Sequence, residues 1–145
     1  MECITLIVPG TPSSKLRARS LRSGGHYTPA PTRAAERHIA NLWEATHGLR
    51  HPHQGPVVVD VAATFEPPTS WPKWRRALAL AGTWPHVVKP DIDNVVKLVK
   101  DALNGLAWRD DSQVIAITGR KLYGEQPATS ITITFLPTPE RSTTS

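Results

Sequence analysis

The sequence predicts an α+β domain: a mixed four-stranded sheet with an antiparallel C-terminal hairpin, packed by about three helices. Three observations carry that prediction. Runs dense in β-branched and small apolar residues lie at 2–8, 57–65, 113–123 and 128–136. Between them, 32–46 and 93–104 repeat apolar residues at helical spacing, and a shorter helical stretch lies near 71–81. The last two strand-like runs are joined only by Gly124-Glu125-Gln126-Pro127, which has the composition of a turn.

Each element follows from its residues. Glu2 to Val8 is an apolar, β-branched run stopped by Pro9-Gly10, and reads as a largely buried strand. Thr11 to Pro31 shows no periodicity and holds Lys15, Arg17, Arg19 and Arg22 among Gly, Pro and Ser, which predicts a loop and a candidate DNA-gripping arm. Thr32 to Thr46 places Ala35, Ile39, Leu42 and Trp43 on one helical stripe. His47, His51 and His53 follow among Gly and Pro, but nothing nearby completes a zinc-like ligand set. Val57 to Phe65 is a nine-residue run rich in Val, Ala and Thr and predicts a strand in the middle of the sheet, covered on both faces.

Ser70 is placed to cap a helix beginning near Trp71-Pro72. That helix carries Lys73, Arg75 and Arg76 beside Trp71 and Trp74, with Trp84 just beyond. The tryptophans read first as packing against the sheet; an aromatic, basic surface that stacks on unpaired nucleotides is the other reading. From Asp93 to about Asn104, Val95, Val96, Val99, Ala102 and Leu103 make one buried face, and Asn104-Gly105 ends the helix. In the last strand Ile131, Ile133 and Phe135 alternate with polar residues. The expected organisation is one domain over residues 1–136 with a flexible tail at 137–145.

Composition narrows the function. The 145 residues carry a net charge of +5. Outside positions 91–111 there are fourteen basic and seven acidic residues, whereas five of the twelve acidic residues fall inside that window. An acidic island in a basic body suits a protein that attracts phosphates and holds cations at its centre. The lone Cys3 can form no internal disulfide, reads as core, and fits a reducing, cytoplasmic setting. No run approaches the length of a membrane span, and no glycine loop suggests a nucleotide cofactor.

The chemistry concentrates in Lys89-Pro90-Asp91-Ile92-Asp93-Asn94. Pro90 favours an extended approach, so Asp91 and Asp93 can point to the same side before the helix turns away. Lys97, one helical turn after Asp93, sets an ammonium beside the carboxylates as a phosphate clamp, and Lys89 joins Lys73, Arg75 and Arg76 among the candidate DNA-binding residues. Oxygen-only ligands suit Mg²⁺, with Mn²⁺ as a substitute. The structural alternative is an N-cap and an ordinary i,i+4 pair.

This stretch, continued through Asp101-Ala102-Leu103-Asn104-Gly105 and Trp108 with Asp110-Asp111-Ser112-Gln113-Val114, resembles the core signature of the RusA-type Holliday junction resolvases. The resemblance extends to Val8-Pro9-Gly10-Thr11-Pro12 and to the lead-in at 67–71. It implies a Mg²⁺-dependent, homodimeric endonuclease that cuts four-way DNA junctions symmetrically in recombination and repair. It puts metal binding on Asp91, Asp93 and Asp111, with Asp110 the weaker member of its pair, and an essential lysine at Lys97. A helix starting at Asp93 carries the chain about 18 Å away. Asp111 must therefore come back along the return leg through Trp108 or be supplied by a partner subunit. Two rivals stand beside this reading: a junction-binding protein without cleavage activity, and a phosphohydrolase acting on nucleotides.

Overall fold

The computed structural model describes residues 1–16, 19–20, 24–27, 29–48 and 50–139. In chain order the elements are β1 (Glu2–Pro9), β2 (Arg19–Ser20), β3 (His26–Tyr27), α1 (Ala30–His47), β4 (Val57–Phe65), α2 (Lys73–Leu80), α3 (Ile92–Leu103), β5 (Val114–Tyr123) and β6 (Ala128–Phe135). The predicted α+β architecture holds, with three helices and a mixed four-stranded sheet ordered β1-β6-β4-β5. β6 pairs antiparallel with both β1 and β4, while β4 and β5 are parallel. β2 and β3 form a separate two-residue ribbon inside the predicted loop. Arg17 and Arg22 lie outside the described residues, as do the Arg19 side chain and tail residues 140–145.

The two C-terminal strands run antiparallel, but they are not the adjacent hairpin that the short connection suggests. β4 lies between them, and Gly124 donates its N–H to the Phe65 carbonyl at 2.9 Å as the chain crosses over the end of β4. Burial explains the seating. β6 buries every second residue, including Ile131 and Ile133, and takes an interior place, whereas β5 is exposed along most of its length and takes the edge.

β4 is interior as predicted, yet only one of its faces is covered. Val57, Val59, Val61, Ala63 and Phe65 are buried while Asp60 is exposed on the other side. α1 and α3 lie against that buried face. Ile39 and Trp43 of α1, with Val95, Leu98, Val99 and Leu103 of α3, close the core over the sheet. Cys3 has the wrong parity for that core and is exposed. α2 begins at Lys73 behind Pro72, with no side-chain cap, so Ser70 does not serve that helix.

Candidate active site

Asp91 is delivered by a loop clamped to the edge of the sheet. After α2 the chain returns to β5 through His86, whose ring stacks on Phe65 (centroids 4.2 Å apart) and lies 4.9 Å from Tyr123. Burial pushes the His86 imidazole below the usual histidine range, and the charge of Lys121 adds to the effect. Lys121 of β5 then donates from Nζ to the carbonyls of Val88 at 2.7 Å and Pro90 at 3.0 Å. The Lys89–Pro90 peptide is cis. Asp91, the next residue, is extended (φ −70°, ψ 141°) and occupies the N-cap position of α3.

The carboxylates here are not spent on structure. Asp91 makes no side-chain capping bond, although its carbonyl accepts the first helical N–H groups, from Asn94 at 3.1 Å and Val95 at 3.3 Å. Asp93 lies in the first turn, two residues on, where the helix dipole favours its charge. Lys97 Nζ stands 4.0 Å from Asp93 Oδ2, and both side chains are more than 60 % exposed. A pair so open to water is weakly held, so both groups remain free to engage a ligand. An open pocket of about 250 Å³ lies at Asp91, lined also by Lys15, Lys89 and Asn94 among others. Lys15 N–H donates to the Asn94 carbonyl at 2.9 Å, but the Lys15 ammonium is drawn into an ion pair with Asp101. That carboxylate raises the pKa of Lys15.

Asp111 sits at the opposite end of α3. The return leg does not stretch back: Gly105, at φ +83°, turns the chain, and its N–H donates to the Trp108 carbonyl at 2.8 Å. Trp108 is fully buried and donates from Nε1 to Asp111 Oδ1 at 2.8 Å. Asp110 caps the short 3₁₀ turn. Its carboxylate accepts from Ser112 N–H at 3.0 Å, and the Ser112 side chain first, with that N–H second, holds its pKa below the ordinary value, while its own N–H donates to Gln113 Oε1 at 2.8 Å. Gln113 in turn donates from Nε2 to the His53 and Gly55 carbonyls. The 12 residues of α3 span about 18 Å. Among the described residues, no group of three potential ligands gathers within one chain.

The basic candidates separate by what they touch. The Arg75 guanidinium lies 3.6 Å over the Trp71 ring and 4.5 Å over that of Trp84, a cation–π stack that occupies it within the chain. Arg76 donates to the Pro67 and Pro68 carbonyls, both at 2.9 Å. Lys73 and Lys89 are exposed. Trp71 and Trp84 pack with Tyr123 and Arg75 as the packing reading expects, whereas Trp74 remains 61 % exposed. Sequence reasoning passed over Lys121 and Gln113. A lysine with inward parity between Gly119 and Tyr123 was the available signal for the first.

Residues 9–134 match the family described as Endodeoxyribonuclease RusA. The chain belongs to that family. It is therefore an endodeoxyribonuclease, a Holliday junction resolvase whose substrate is DNA, of a family that generally depends on divalent metal. It is also 36 % identical over 138 residues to the uncharacterized protein YqaN of Bacillus subtilis strain 168, across 92 % of this chain and 96 % of that one. The RusA match takes in α3, both acidic clusters and the strands that carry them. Among the described residues, no helix is long and apolar enough to cross a membrane.

Proposed function

We propose that this RusA-family enzyme is a Mg²⁺-dependent, homodimeric endonuclease that resolves Holliday junctions by paired, symmetric cleavage in recombination and repair, with Mn²⁺ able to substitute. The observation that carries the proposal is Asp91: a carboxylate at a helix N-cap that caps nothing, beside Asp93 and within one turn of Lys97. The donor set fits a hard cation, because the two carboxylates are exposed and hold oxygen ligands only. Asp91 and Asp93 would hold the ion, and Asp111 would complete the set. Bound Mg²⁺ supplies Lewis-acid polarisation of the scissile phosphate and a more acidic water.

The remaining work falls to the chain itself. Without a cation the two carboxylates repel a phosphate, so the acidic pair makes cleavage conditional on metal. Lys97 places its ammonium where negative charge builds on the phosphoryl oxygens as water adds to phosphorus and the sugar oxygen leaves with a proton. Lys121 keeps the Asp91 loop in place through the Val88 and Pro90 carbonyls. Lys73, Lys89 and the arm residues Arg17, Arg19 and Arg22 serve as phosphate contacts, while Lys15, Arg75 and Arg76 brace the surface through the partners described above. Two identical sites related by a twofold axis match the symmetry of paired incisions. A single free cysteine is compatible with a reducing cytoplasm. The test is incubation with a mobile four-way junction and with linear duplex, each with and without Mg²⁺. Metal-dependent, paired nicks confined to the junction are expected; equal cutting of linear duplex would remove the structural specificity.

A further inference from the structure

We infer that Trp74 is a stacking platform for a nucleobase of the DNA substrate, one left unstacked where the strands cross beside the cleavage site. The segment from Trp71 to Trp84 contributes no residue to the main apolar core, and α2 within it buries only Ala79. A run of rings orders it instead. Neighbouring centroids lie 4.2 Å apart for Phe65 and His86, 4.9 Å for His86 and Tyr123, and 5.4 Å for Tyr123 and Trp71. The run continues at 6.1 Å from Trp71 to Trp84 and at 6.0 Å from Trp84 to Trp74. The Arg75 guanidinium rests over the Trp71 and Trp84 rings and clamps the outer part. Phe65, at one end, belongs to the core; Trp74, at the other, is 61 % exposed. Trp84 meets Trp74 at 67°, a T-shaped contact that braces the outer ring without lying flat on it.

The surroundings of Trp74 fit DNA. From Pro67 to Pro90 the chain has no acidic residue and four basic ones, Lys73, Arg75, Arg76 and Lys89. Lys73 directly precedes Trp74 and is exposed, so neighbouring side chains meet a phosphate and its base. A second copy of this chain fits the patch less well, because a twofold contact would set these cations against their own images with no carboxylate to pair them. The platform is continuous with the Asp91 loop. Val87 and Val88, 77 % and 56 % exposed, lie between Trp84 and Asp91, and Val88 is at most about 11 Å of chain from Asp91. The His86 ring and the Lys121 bonds to Val88 and Pro90 tie the ring run and that loop to the same end of β5. Every base has a π face, so such a platform tolerates any sequence but requires an unstacked base. The exchange point of a four-way junction interrupts stacking, whereas a linear duplex does not.

The platform's place beside the cleavage site rests on the Asp91 reading above, whereas its grip on DNA does not, so the test is run without divalent metal. Fluorescence anisotropy compares three labelled probes: a fixed four-way junction, the same junction with abasic sites flanking the crossover, and linear duplex. Trp74→Ala should weaken binding to the intact junction by about tenfold and leave the abasic junction and the duplex nearly unchanged. Its dependence on log salt should match that of the wild type, because stacking releases no counterions. Trp74→Phe should recover most of the affinity. Trp74→Leu, which keeps apolar bulk against Trp84 but offers no π face, should show the same loss as alanine. Equal losses on the intact and abasic junctions would overturn the stacking role, as would an intact junction bound as tightly by Trp74→Ala and Trp74→Leu as by the wild type. A change of oligomeric state in Trp74→Ala by analytical ultracentrifugation, with junction affinity retained, would assign the patch to a second copy of the chain instead.

Discussion

Asp93 and Lys97 stand 4.0 Å apart in water, a pair too exposed to contribute much stability, which leaves both side chains free for the reaction proposed above. Asp93→Asn keeps the shape and removes the charge that a hard cation requires. Cleavage should collapse while metal-free junction binding holds or tightens, because each carboxylate–phosphate repulsion is worth about 1 kcal/mol at close range in water. Near-normal cleavage by this variant, measured beside its binding, would return Asp93 to a structural role, since Asn serves helix N-termini about as well as Asp. Lys97→Ala should leave junction affinity nearly intact and slow single-turnover cleavage by about 10²-fold. Lys121 carries a different expectation, since it meets two backbone carbonyls rather than the substrate. Lys121→Met should cost about 1–3 kcal/mol in urea denaturation and raise the Mg²⁺ concentration needed for half-maximal cleavage. A denaturation midpoint equal to that of the wild type would show that these bonds do not hold the loop.

At the scale of elements, α3 and β5 form the frame of the site, and their close approach depends on Gly119. A Cβ there would fall 2.8 Å from Val96 Cγ2 and 2.9 Å from Ile92 Cγ1, so Gly119→Val must push the helix that carries Asp91 and Asp93 away from the strand. The expected loss is about 1–3 kcal/mol, read as a lowered melting temperature. The helical period made α3 legible to within a residue at each end, and β4 was legible over its whole length. The seating of β5 and β6 was not, because a four-residue connection suggests a hairpin whether or not another strand slips between. The cap of α2 was misjudged for a related reason. Ser70 has the right chemistry, but helix entry was decided by Pro72, whose fixed φ already suits the first turn.

For the whole molecule, the loop that presents Asp91 is bound to the sheet through a histidine whose neutral form is favoured by burial. His86 has a folded-state pKa below its unfolded value, so the folded protein binds fewer protons there and stability rises with pH. This contribution is fully present above the ordinary histidine range, near about 6.5, and is lost as the pH falls through the depressed folded value. Denaturation midpoints measured across the acid range should decline for the wild type and decline less for His86→Phe, which keeps a ring for Phe65 and Tyr123. Equal slopes would take His86 out of the acid response. Charge sets the other expectation at this scale. Replacing Arg17, Arg19 and Arg22 together should weaken junction binding and flatten its dependence on log salt by up to about three, near one per lost phosphate contact.

The sequence by itself determined the chemistry of this protein: which carboxylates lack an apolar reason for their place, which lysine follows at one helical turn, and which periodicities build the sheet and helices. These are local properties, written in spacings of two, three and four residues, and they survive without knowledge of the fold. Tertiary structure alone decided that Asp91 stands at a helix start without capping it, that Arg75 and Arg76 are engaged by tryptophan rings and proline carbonyls, and that β4 separates β5 from β6. It also decided that Asp111 lies a full helix away from Asp91. The turn at Gly105 and the bond from Trp108 depend on packing against residues near His53, more than fifty positions earlier, and no local pattern carries that information.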